Sequence, residues 1–232
     1  MANIMILGDT WGTVPCHVFN QLPGVTDWFE YQFLRRGHPT FNKSLGGNQN
    51  HYQLLQAEVL LTALKDSPIH IDLIVWFHTE IVRDLIPEDT RRFGKDDFDI
   101  VIDDAAERMY NLATRVRNIS PDTKWAIIGG HAPLRPNKKH LLDWADFRID
   151  NFRSHILGVD VPESQAFEFL EKWKGSLWDW PGIPQEIIDR ELAIKEQIIQ
   201  LTSDTSKFWN GKHGGLEPMK QLANDIMTKF NL

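Results

Sequence analysis

Apolar runs alternate with amphipathic stretches along this chain. Short, nearly continuous apolar runs are typical of strands buried in a parallel sheet, whereas apolar residues spaced three or four apart indicate helices. The runs predict strands over residues 4–7, 40–45, 69–77, 124–128 and 156–161. The helical spacings predict helices over residues 26–36, 50–65, 98–119, 184–201 and 217–230.

Two of the predicted helices carry an apolar stripe that we expect to face the core. In the helix over residues 50–65 the stripe consists of Leu54, Leu55, Val59, Leu60 and Leu64. In the helix over residues 98–119 it consists of Ile102, Ala106, Met109, Ala113 and Val116.

Strands that alternate with helices predict a doubly wound parallel sheet with right-handed crossovers. The alternation is interrupted at about residues 160–204, which contain three tryptophans and the helix that begins at Pro184. We therefore predict one domain over residues 1–232, with an insertion at about residues 160–204 that packs near the functional site.

The composition and net charge of the chain argue against several classes of function. The chain is 42% hydrophobic and has a net charge of −7 without a basic block, which argues against nucleic acid as a partner. Neither a membrane-spanning apolar stretch nor a leader pattern is present in the sequence, so we expect a soluble, cytoplasmic protein. The single cysteine, Cys16, excludes an intrachain disulfide, and the histidine spacings predict no metal site. No cofactor is expected, and the oligomeric state is left open.

Polar residues follow the predicted strands at their carboxyl ends. The first strand runs into Gly8, Asp9 and Thr10, the second into Gly47, and the third into His78 and Thr79. His213 lies in a predicted loop just before the last helix. Ligands of open α/β sheets bind beyond the carboxyl ends of the strands. A hydroxyl, an imidazole and backbone donors at one rim are the components of acyl transfer.

Each of these features also has an ordinary structural interpretation. Asp9 and Thr10 are common cap and turn residues, and two consecutive glycines can form a simple turn. His213 can be a surface histidine among glycines and lysine. The residues taken one at a time do not decide between these interpretations and a catalytic site.

Taken in order along the chain, the motifs resemble those of the SGNH (GDSL-type) hydrolases. Gly8-Asp9-Thr10 resembles the block that contains the nucleophile, and residues 42–50 resemble the second block. Residues 77–80 lie where the family has Gly-x-Asn-Asp, and residues 210–213 lie where it has Asp-x-x-His. The resemblance spans nearly the whole chain. It implies a flavodoxin-like three-layer α/β/α sandwich with a parallel five-stranded sheet.

The resemblance also implies roles for individual residues. Thr10 would be the nucleophile and His213 its base, and Asn210 would orient the imidazole. The oxyanion hole would consist of Thr10, Gly47 and Thr79, and substrate-binding residues would be Asp9, Trp11, His78 and Trp209. The implied function is hydrolysis of small carboxylic esters, as in an esterase or deacetylase, with a small ester or acylated carbohydrate as substrate.

Three positions depart from the family pattern. Thr10 stands in place of serine, Thr79 in place of the oxyanion-hole asparagine, and Asn210 in place of the aspartate. The extra methyl group restricts the hydroxyl of Thr10, and an amide cannot stabilise an imidazolium by charge. The alternative function is therefore a catalytically impaired binding protein that keeps the cleft for a carbohydrate or acyl ligand.

Overall fold

The structure is a computed structural model. It describes residues 1–8, 29–44, 48–93, 96–130, 132–164, 185–203, 208–209 and 213–232; at residues 209, 213, 214 and 216 it describes the backbone alone.

Five parallel strands form the central sheet. They are β1 (Ile4–Leu7), β2 (Thr40–Asn42), β3 (Leu73–His78), β4 (Lys124–Gly129) and β5 (Phe147–Ile149), in the spatial order β2-β1-β3-β4-β5. β3 lies at the centre, and its pairing with β4 extends from Leu73–Lys124 to His78–Gly129. The order reverses between β1 and β3, as in flavodoxin-like folds. This sheet confirms the fold class that the sequence predicted.

Helices cover both faces of the sheet. They are α1 (Phe29–Leu34), α2 (Asn50–Leu64), α3 (Pro87–Thr90), α4 (Phe98–Arg117), α5 (Phe152–Leu157), α6 (Gln185–Leu201) and α7 (Leu216–Phe230). The described connections contain two 3₁₀ helices, Ile81–Asp84 and Lys139–Leu142. No helix within these described ranges has the length and apolar character that crossing a membrane requires.

Alternate residues of each strand enter different cores, because successive side chains point to opposite faces of a sheet. In β3, Ile74 and Trp76 pack with α2 and α4, whereas Val75 and Phe77 pack with α1 and α7. All four side chains are fully buried. The near-continuous apolar run therefore reflects a strand that is covered on both sides, as the sequence indicated.

The prediction of a fifth strand over residues 156–161 is wrong. The fifth strand is β5, and residues Phe152–Leu157 form the helix α5 instead. The Asn151 side chain caps this helix by accepting a hydrogen bond from the Ser154 amide, and Gly158 ends it with a φ of 69°. β5 has only three residues with Arg148 at its centre, too short to show a strand pattern.

The predicted apolar stripe of α2 is also wrong in part. Leu54 is buried as expected, but Val59 is 70% exposed. The buried face consists instead of Asn50, Gln53, Leu54, Ala57 and Leu61. Two polar side chains on the inner face find buried partners, and the Gln53 carbonyl oxygen accepts a hydrogen bond from the Trp76 indole at 3.0 Å. Compared with the prediction, α2 is therefore rotated about its axis, so that Asn50 and Gln53 face their buried hydrogen-bond partners.

The predicted insertion at about residues 160–204 stays a prediction, since residues 165–184 lie outside the described residues. Its described helix, α6, packs through Ile187, Ile188 and Leu192 against the core between α2 and α4. Arg190 of α6 also forms an ion pair with Asp99 of α4 at 3.0 Å.

Candidate functional site

The carboxyl ends of β2, β1 and β3 lie side by side at one rim of the sheet. Gly8, which follows β1, is closely surrounded there by the other two strand ends. A Cβ atom at Gly8 would lie 3.0 Å from the Cβ of Phe77 in β3 and 3.4 Å from the Ser44 hydroxyl oxygen beyond β2. Distances of that size leave little room for a side chain at residue 8. The chain therefore reaches Asp9 and Thr10 from the point where three strand ends converge.

Several predicted site residues lie outside the described residues: Asp9, Thr10, Trp11, Gly47 and Asn210. Their predicted roles stay predictions. Gly8 is the last described residue before Asp9, and Asn48 is the first described residue after Gly47.

His213 was predicted to lie in a loop, and this prediction is corrected. Its backbone belongs to a short strand, β7 (His213–Gly214), which pairs antiparallel with β6 (Phe208–Trp209). Trp209 and His213 are direct partners in this ribbon. α7 begins two residues after β7 ends, with Gly215 at its N-cap. The ribbon thus places the backbone of residue 213 next to the start of the last helix.

Thr79 is fully buried beyond the end of β3. Strand pairing with β4 ends at His78, so the peptide groups of Thr79 need other partners. Asn50, the first residue of α2, supplies both: its Oδ1 accepts from the Thr79 amide at 2.9 Å, and its Nδ2 donates to the Thr79 carbonyl at 2.9 Å. A buried peptide group without a partner costs about 1–3 kcal/mol, so this pairing stabilises the rim appreciably.

Asp84 completes the network from the 3₁₀ helix after β3. One carboxylate oxygen accepts from Asn50 Nδ2 at 2.8 Å, and the other accepts from the His51 amide at 2.8 Å. The carboxylate therefore caps α2, whose own N-cap residue Gln49 makes no side-chain cap. Burial raises the pKa of Asp84 from 3.8 to about 6, although these hydrogen bonds act in the opposite direction.

The raised pKa of Asp84 predicts a measurable pH dependence of stability. Between about pH 4 and pH 6 this carboxyl is protonated in the folded chain but ionised in the unfolded chain. The free energy of unfolding therefore falls as pH rises through that interval. Asparagine does not titrate. From pH 4 to pH 7 the parent should therefore lose stability relative to Asp84→Asn, by on the order of 2–3 kcal/mol.

Urea denaturation of the parent and Asp84→Asn across that pH range measures the effect. Asp122→Asn, the same change at an exposed carboxyl, is the matched control and should track the parent. Parallel pH profiles for the parent and Asp84→Asn would contradict the prediction.

His78 ends β3 on the opposite face from Phe77 and is fully buried. Its Nδ1 lies 3.2 Å from the Ala132 carbonyl oxygen, and its Nε2 lies 3.5 Å from the Tyr110 hydroxyl. A carbonyl can only accept, so Nδ1 is the donor; in the neutral imidazole Nε2 then accepts from the Tyr110 hydroxyl. Burial raises the pKa of Tyr110 and keeps that hydroxyl protonated. A role of His78 in substrate binding stays a prediction.

Four polar residues of the rim were not singled out by sequence reasoning: Asn50, Asp84, Ser44 and Asn48. The Ser44 hydroxyl and the Asn48 amide nitrogen are buried, and neither has a hydrogen-bond partner within the described part of the chain. Both are next to residues 45–47 in the chain, which include Gly47. The only sequence signal for Ser44 and Asn48 was their position within the second SGNH-like block, residues 42–50.

No group of three or more histidine, cysteine, aspartate or glutamate side chains among the described residues could hold a metal ion. Beside Asp84, Arg83 forms a 3.0 Å ion pair with the fully buried Glu80.

The fold and the rim together define the class of protein: a three-layer α/β/α protein built on a parallel sheet. Its convergent strand ends lie at the point where the strand order reverses, which is where such folds bind ligands. This is the fold that the resemblance to the SGNH hydrolases implied. No family model matches the sequence, and no curated protein sequence matches it.

Solved structures match this chain over most of its length. A member of the lipolytic protein G-D-S-L family from Veillonella parvula is 9% identical, with 100% of this chain and 99% of that chain covered and a TM-score of 0.44. An acetyl xylan esterase is 8% identical, with coverages of 97% and 98% and a TM-score of 0.40. The psychrotrophic esterase EstA from Pseudoalteromonas sp. is 10% identical, with coverages of 88% and 97% and a TM-score of 0.37. At TM-scores below 0.5, these likenesses transfer neither a substrate nor a mechanism to this chain.

Proposed function

We propose that this protein hydrolyses small carboxylic esters at the rim formed by β2, β1 and β3. The observation that carries the proposal is the close approach of Gly8, Phe77 and Ser44, because it brings together the strand ends that precede Thr10, Gly47 and Thr79. These are the positions at which the sequence resembles the SGNH blocks. The candidate substrates are small esters and acylated carbohydrates.

In the proposed reaction, the Thr10 hydroxyl attacks the ester carbonyl and forms an acyl-enzyme while the alcohol leaves. His213 takes the hydroxyl proton and returns it to the leaving alcohol, and water then hydrolyses the acyl-enzyme by the reverse proton path. Asn210 orients the imidazole. The amides of Thr10 and Gly47 and the Thr79 hydroxyl stabilise the oxyanion. Asp9, Trp11, His78 and Trp209 are proposed to contact the substrate.

A second candidate function is ligand binding without turnover. The observation that favours it is the substitution of three family positions by Thr10, Thr79 and Asn210, each of which weakens the corresponding catalytic contribution. Such a protein would keep the rim as a binding cleft for a carbohydrate or acyl group.

A fluorophosphonate probe distinguishes the two functions. An activated hydroxyl displaces fluoride and forms a stable phosphonate ester, so the hydrolase should be labelled at Thr10 as located by peptide mass spectrometry. Heat-unfolded protein is the control and should remain unlabelled, since activation needs the folded site. Native protein without a label at Thr10 would support the binding function and contradict the hydrolase.

A further inference from the structure

Asn50 holds both peptide groups of one residue at the proposed site. Its side-chain amide pairs with the Thr79 N–H and C=O at 2.9 Å each, and both residues are fully buried. We infer that Asn50 is a positioning residue that fixes residue 79 for stabilisation of the oxyanion. This inference rests on the function proposed above.

The pairing takes the place of a neighbouring strand. β1 pairs with β3 only as far as Trp76, and β4 pairs with it only as far as His78. Residue 79 therefore projects beyond the hydrogen-bond ladders that β1 and β4 form with β3. The primary amide of asparagine offers the same donor and acceptor as a peptide group. Asn50 thus continues the backbone hydrogen bonding of β3 by one residue, at the position that the proposed oxyanion hole uses.

Asp84 fixes the orientation of that amide. Asn50 Nδ2 donates one hydrogen to Thr79 and the other to the Asp84 carboxylate, while Oδ1 accepts from the Thr79 amide. If the Asn50 amide were flipped, its oxygen would face the Thr79 carbonyl oxygen and the Asp84 carboxylate, and both of these are acceptors. The carboxylate also accepts from the His51 amide, so it holds the start of α2 together with the Asn50 side chain.

Asn50 also connects two parts of the proposed oxyanion hole. It follows Gly47 by three residues in the chain and contacts residue 79 across space. A displacement of about 1 Å in a reacting group can lower a rate on the order of a hundredfold. Loss of this contact should therefore appear in kcat more than in KM, since it disturbs stabilisation of the transition state.

The test compares Asn50→Ala with Gln53→Ala. Gln53 is a matched control: a fully buried amide on the same face of α2, bonded to the Trp76 side chain in the core instead of the rim. With p-nitrophenyl acetate, Asn50→Ala should lower kcat about 10- to 100-fold with KM within about threefold of the parent. Gln53→Ala should keep kcat within about threefold. Equal kcat losses in the two variants would overturn the inference.

A reciprocal exchange separates positioning from a loss of folding. Asn50→Asp alone places two carboxylates against each other and should lower kcat at least as much as Asn50→Ala. Combining it with Asp84→Asn restores a donor–acceptor pair between the two side chains and keeps an acceptor for the Thr79 amide, while the Thr79 carbonyl still lacks the donor that Asn50 Nδ2 supplied. The double variant should therefore recover part of the lost activity, at least about threefold in kcat over Asn50→Asp. Failure of this rescue in a folded double variant would count against the inference.

Hydrogen exchange distinguishes failure of this inference from failure of the proposed function. In Asn50→Ala the Thr79 amide should exchange at least tenfold faster than it does in Gln53→Ala, after correction for global stability. Exchange that is equal in both variants overturns the inference even if the parent is an active esterase. A parent that hydrolyses no ester overturns the proposed function, while faster exchange at Thr79 would still support positioning by Asn50.

Discussion

Thr10→Ala is expected to lower ester hydrolysis by about 10²–10⁴-fold, whereas Thr10→Ser should keep or raise the rate. Alanine removes the hydroxyl that is proposed to attack the ester. Serine retains it without the methyl group that restricts its rotamers, so the oxygen can turn toward both the base and the substrate carbonyl. Initial rates on short-chain esters, measured for the parent and both variants purified side by side, test this prediction.

Thr62 offers a matched control, because it is an exposed threonine on α2. Thr62→Ala should hydrolyse the same esters at the parental rate. If Thr10→Ala is as active as the parent, Thr10 is a turn residue and the catalytic interpretation of this chain is wrong.

His213→Ala should reduce esterase activity by about 10²–10⁴-fold while the protein remains folded. The imidazole is proposed as the base for Thr10, so its removal leaves the hydroxyl protonated during attack. Gly211, Gly214 and Gly215 surround the residue in the sequence and it belongs to no apolar run, so its loss should disturb folding little. Rates with p-nitrophenyl acetate and the thermal unfolding midpoint together measure the result.

His140→Ala is the corresponding control, since His140 is exposed on the 3₁₀ helix Lys139–Leu142. It should match the parent in both measurements. Unchanged ester hydrolysis by His213→Ala would remove His213 from the mechanism, and a variant that does not fold would indicate a structural role instead.

Most strands and helices follow from the pattern of apolar residues. β3 is the clearest example, because a strand covered on both faces needs apolar residues at nearly every position. α4 likewise buries its predicted stripe, including Ile102, Ala106 and Met109. The parallel sheet then follows from the alternation of strands and helices, which restricts the topology strongly.

The candidate site could be predicted only in outline. Motif order placed Gly8 and Thr79 at strand ends, and the sheet order brings those strand ends together. The ribbon that contains His213 was not predicted, because two strands of two residues each are too short to show a periodic pattern. Side-chain geometry at Thr10 and His213 stays a prediction.

The sequence by itself determined the class of fold and the order of the motifs, since both depend on local periodicity and on residues close together in the chain. Only the tertiary structure revealed which side of α2 is buried and how the rim is held. Asn50 and Asp84 find their partners 29 to 34 residues away, and a buried polar side chain is stable only where such a partner meets it. A hydrogen bond across that distance depends on the packing of α2 against the end of β3, which no local pattern of apolar and polar residues records.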